Sequence, residues 1–100
     1  MYHNGQGISQ DYTEALKWYR LAAAQGNALA QANLGLMYAK GQGVPQDYVQ
    51  AHTWFNLAAA TSTSKSDHDN AVQARDYVAA RMTPAQIAEA HKLARDWKKQ

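Results

Sequence analysis

At 100 residues the chain has the length of one folded unit, with no room for a second independent domain. Alanine fills 20 positions and proline only two, a balance that favours closely packed helices over strands. A net charge of +2 without a basic run excludes the cationic stripe that a nucleic-acid partner needs. The absence of cysteine excludes a disulfide framework and thiolate chemistry. There is neither a signal-peptide pattern nor an apolar run of about 18 residues, the length that would read as a membrane span. The compartment stays undetermined.

In chain order, the sequence overlays on itself at a shift of 36 residues. Tyr2 falls on Tyr38, Gly5-Gln6-Gly7 on Gly41-Gln42-Gly43, Gln10-Asp11-Tyr12 on Gln46-Asp47-Tyr48, and Trp18 on Trp54. Leu21-Ala22-Ala23-Ala24 falls on Leu57-Ala58-Ala59-Ala60, with Ile8/Val44 and Tyr19/Phe55 as similar pairs. Because Met1 and Tyr2 match only the tail of a helix, the register leaves room for natural sequence upstream. Asp11 and Asp47, each with Glu14 or Gln50 three residues on, are expected to open helices with capping boxes. Ala15, Trp18/Tyr19 and Ala22 then form an apolar stripe. Gly26 ends the first helix, and the paired glycines supply positive φ for the turns.

Between them, Ala28 to Lys40 is predicted as a helix capped by Asn27, with Ala30, Leu34 and Tyr38 facing inward. Gly35 inside that helix costs about 1 kcal/mol relative to Ala, which implies that a neighbouring ring such as Trp54 needs the space. Thr61 to Ser66 reads as a polar loop, followed by a helix over about Asp67 to Arg81. Thr83-Pro84-Ala85-Gln86 starts a last helix that runs to Lys98. This third unit keeps the 36-residue register at Thr83 and Leu93-Ala94 but lacks the glycine turn, and its charged final helix suits the end of a stack that must face water.

The run from Ala30 to Tyr48, with Ala51 to Ala59 and Ala15 to Ala23, resembles the Sel1-like repeat, a relative of the tetratricopeptide repeat. The segment Met82 to Ala90 is similar to the closing segment of bacterial members. The resemblance implies an all-α fold, a right-handed α-α superhelix of antiparallel helix pairs, used as a scaffold or adaptor for protein partners. On this reading the single repeat domain divides into a partial repeat at 1–25, a complete repeat at 26–61 and a divergent capping helix pair at 62–100. Cysteine-rich relatives imply a different function, small-molecule binding or hydrolysis, from which this chain departs by having no cysteine.

No residue set predicts catalysis, a cofactor or a metal. His3, His52, His68 and His91 lack metal-ligand spacing, and only His68 has acidic neighbours, Asp67 and Asp69, which suit a solvated helix start. The glycine pairs lack the strand and the GK[ST] of a nucleotide loop, and Ser62, Ser64 and Ser66 have no paired base. Trp18, Tyr19, Trp54 and Phe55 repeat at helical spacing and are expected in the core, while Trp97 either seals the last helix or stands partly exposed. The candidate partner-binding groove comprises Asn33, Met37, Lys40, His68, Gln73 and Arg75. Packing on a neighbouring helix pair competes with that role for Leu36 and Met37. The expected partner is a protein or peptide, with self-association through the truncated N-terminal unit as a second expectation.

Overall fold

The computed structural model describes residues 8–98, with side chains from residue 12 onward. Among them lie five helices, α1 (Ile8–Ala24), α2 (Ala28–Lys40), α3 (Tyr48–Thr61), α4 (Lys65–Ala79) and α5 (Pro84–Asp96), and no strand. The architecture is an all-α right-handed superhelix in which α1 packs on α2, α2 on α3 and α3 on α4.

Local chemistry sets the helix boundaries. Asn27 accepts a hydrogen bond from the Ala30 N–H at 2.8 Å, and α2 closes at Gly41, whose φ of 70° is left-handed and favours glycine. Gly26 and Gly43 also have positive φ, whereas Gly5 and Gly7 lie outside the described residues. Asp47 caps α3 by accepting from Gln50 N–H at 3.1 Å. The reciprocal half of that expected capping box does not form, because the Asp47 N–H donates to the Tyr38 carbonyl at 2.9 Å. Asp11, by contrast, is not a cap: α1 starts at Ile8 and runs through it. The complete box is at α5, where Thr83 and Gln86 exchange bonds of 3.1 and 2.9 Å and Pro84 opens the helix. That helix stops at Asp96, with Trp97 as its C-cap, rather than at Lys98. α4 starts two residues earlier than expected, because Ser64 accepts from Asp67 N–H and caps it, while Thr61 still belongs to α3.

The core is thin and built from small residues. Leu16, Ala23, Ala30, Leu34 and Met37 are buried between α1 and α2, and Ala51, Phe55 and Val78 join α3 to α4. Gly35 makes the closest approach. A Cβ there would sit 2.8 Å from Phe55 Cδ1 and Cε1 and 3.2 Å from the Ala51 carbonyl oxygen. The ring that needs the space is therefore Phe55, not Trp54.

Two expectations about packing are corrected. Trp18 is 68% exposed, not core, although its register partner Trp54 is half-buried. Trp54 is covered by Trp97 of the α5 end, the rings meeting edge-on at 6.1 Å between centroids, whereas α1 does not pack on α3 as α3 packs on α5. In the last unit, α4 and α5 pack on α3 rather than on each other. The connection at 80–83 holds no glycine, so the chain lacks the left-handed turn that folds α3 back along α2.

Substituting Gly35→Ala improves helix propensity but drives a methyl group into the Phe55 ring, and the net loss should be about 1–3 kcal/mol. Urea denaturation should show a lower midpoint with an unchanged slope.

Candidate functional site

Helices α2 and α4 form the walls of a groove whose floor is α3. Helical spacing places Leu29, Ala32, Leu36 and Lys40 along one wall, and α4 supplies the other. The groove holds two recesses that share the Phe55 ring as a saddle. One, of about 210 Å³, lies between Leu29 and Ala32 of α2 and Asp67, Asn70 and Ala71 of α4. The other, of about 390 Å³, lies between Leu36, Ala39 and Lys40 of α2 and Ala74, Tyr77 and Val78 of α4. Leu29 is 70% exposed, Tyr77 59% and Leu36 41%, so three large apolar side chains that folding leaves in water meet on one face. The Arg81 guanidinium stacks 3.9 Å from the centre of the Tyr77 ring and donates to the Tyr77 carbonyl, adding positive charge at the Tyr77 end of the groove.

Of the residues expected in a groove, the structure places Lys40 on its rim. Met37 is buried in the α1–α2 core and is removed from the set, since it points away from the groove into the opposite layer. Asn33 is half-buried and lines neither recess. Gln73 is exposed outside both. Arg75 reaches to the α3 side, donating to Asn56 Oδ1 at 3.1 Å and pairing with Asp76. His68 places Nδ1 2.9 Å from the Ala59 carbonyl, which ties the start of α4 to the end of α3. Leu29 and Leu36 lie on the α2 face left over by its inward stripe, while Asp67, Asn70 and Tyr77, which also line the recesses, were not among the residues expected there. Tyr77 carried a signal in the sequence, as the one Tyr, Phe or Trp of a helix whose other apolar residues are alanine and valine.

A second concentration of chemistry lies on the far side of α3. The His52 ring is buried and stacks on His91 of α5 at 5.3 Å between centroids, and its Nδ1 has no hydrogen-bond partner. Alongside it, Thr53 Oγ1 donates to Val49 O at 2.8 Å and lies 3.4 Å from Ala90 O. Burial lowers the His52 pKa, and the charges of His91 and Arg75 lower it further against an opposing pull from Asp76. This pair belongs to the α3–α5 seam.

Successive helices from α1 to α4, each packed on the one before, with an apolar groove between α2 and α4, make the layered arrangement of a helical-repeat protein. The chain belongs to the Sel1 repeat family, whose model matches residues 1–27 and 28–60, together more than half its length. The second match spans α2 and α3, and α4 and α5 lie beyond both. No curated protein and no solved structure matches the chain. Sel1 repeats are generally non-catalytic scaffolds for protein interaction.

Because folding depresses the His52 pKa, the unfolded chain binds more protons near and below pH 6.5, and stability falls on acidification. The contribution of the neutral ring is complete above the unfolded value and is lost as pH drops through the folded one. Denaturation midpoints measured from pH 7.5 to 5 should decline for the native chain and decline less for His52→Gln. Equal slopes would assign the effect to another group.

Proposed function

We propose that this chain is a non-catalytic adaptor that holds a protein or peptide segment in the α2–α4 groove. The observation that carries the reading is the convergence of Leu29, Leu36 and Tyr77, all exposed, over a floor made by Phe55. Apolar anchors inserted between these side chains bury area on both partners, and Lys40 at the rim adds charge selection. Peptides selected by display against the intact chain should lose roughly tenfold or more in affinity on Tyr77→Ala or Leu36→Asp, the range of a central contact residue. Lys40→Glu should alter affinity in a salt-dependent way, with helicity by circular dichroism unchanged in all three variants. Binding indifferent to all three would place the interaction elsewhere.

A second reading, self-association, draws on α1, where Trp18 is 68% and Leu21 56% exposed on one helix. Light scattering should show a mass that rises with concentration and that Trp18→Lys returns to the monomer. A monomer at every concentration would end that reading.

A further inference from the structure

The geometry points to an amphipathic α-helix as the occupant of the α2–α4 groove, with two apolar anchors seven residues apart, an acidic residue beyond one and a basic residue beyond the other. The inference rests on the groove reading above and adds the conformation and charge of the partner.

The spacing comes from the two recesses. Leu29 and Leu36 mark them on α2 and are seven residues apart, roughly 10 Å at the 1.5 Å rise of a helix. A partner helix alongside repeats that interval at positions i and i+7, which share one of its faces. The residue between them, at i+3 or i+4, then lies over the Phe55 saddle, where little depth is available.

The choice of a helix comes from where the polar atoms are. Between the two ends the groove offers Ala32, Ala39, Ala71, Ala74 and the Phe55 ring, and no side-chain donor or acceptor. An extended peptide would press backbone N–H and C=O groups against that surface without partners, at a cost for each group buried. A helix satisfies those groups within itself and presents only side chains.

The charge pattern comes from the ends. At the Tyr77 end, Lys40 lines the recess and Arg81 lies on the Tyr77 ring. At the other end the rim is Asp67, with Asn70 and Ser62. Gln46 and Tyr48, also at the Tyr77 end, are already engaged, since Gln46 Nε2 donates to the Ala39 carbonyl and to the Tyr48 hydroxyl oxygen. That leaves Lys40 to read the partner, with the charge of Arg81 held on the Tyr77 ring, so an acidic side chain fits there and a basic one fits beside Asp67.

The test uses two display libraries against the full chain. One is an alanine-based helical frame randomised at i, i+3, i+4, i+7 and the flanking positions. The other carries proline at every third position and cannot form a helix. Binders should come from the helical library, with apolar residues at i and i+7 and an acidic residue outside one of them. Their affinity should fall roughly tenfold on Tyr77→Ala. Lys40→Glu should weaken them, and exchanging the peptide's acidic residue for lysine should restore binding to that variant. If only proline-bearing sequences bind, still sensitive to Tyr77→Ala, the groove reading stands and the helix is wrong. If helical binders enrich without the charge pattern and ignore Lys40→Glu, the charge assignment is wrong. Binders of either kind that ignore both Tyr77→Ala and Leu36→Asp would sink the groove and the helix together.

Discussion

The close approach of α2 to α3 at Gly35 is the constraint on which the rest of the molecule depends. Removing a side chain from the middle of α2 costs helix propensity, and the gain is a notch that seats the Phe55 ring. That ring then has three neighbours at once: the backbone of α2 beneath it, Val78 of α4 beside it, and the two recesses on its outer side. One aromatic side chain thus fixes the spacing of α2 and α3 and lines both recesses of the groove.

From that seat outward, α3 organises its neighbours. Its Ala51, Ala58 and Ala59 are almost wholly buried, and their small size lets α2 and α4 approach its backbone. Polar groups within this thin core are tied down locally where the helices allow it. Gln31 Nε2 reaches the Ala23 carbonyl, and Ser62 Oγ returns to the Ala58 carbonyl at 2.7 Å. Gln31 Oε1 and His52 Nδ1 are buried without partners among the described residues.

The 36-residue register and local start and stop signals made the helices, the Asn27 and Thr83 caps and the turn glycines Gly26, Gly41 and Gly43 legible in the sequence, because each is decided by residues close in the chain. Asp47 shows where such reasoning stops: its side chain caps as expected, but its N–H is taken by Tyr38, nine positions away. Trp18 shows the same limit more strongly. Periodicity identifies an inward-capable face but does not tell whether another ring will arrive to cover it, and Trp97 arrives only at Trp54. The groove was legible in part. Lys40 lies on its rim, but α2 has apolar residues on two faces, and the sequence alone does not decide that Met37 turns into the α1 layer while Leu29 and Leu36 stay outside. Tyr77 could be assigned only once α4 lay parallel to α2 across α3.

The separate attachment of α4 and α5 to α3 has a mechanical consequence. Both walls of the groove are held from beneath, so force applied at the C-terminal end reaches the α5 seam at His52, Thr53 and Trp54 before it reaches Phe55. Strain on α5 falls first on that seam, which lies on the opposite side of α3 from the α2–α4 groove and shares no side chain with it.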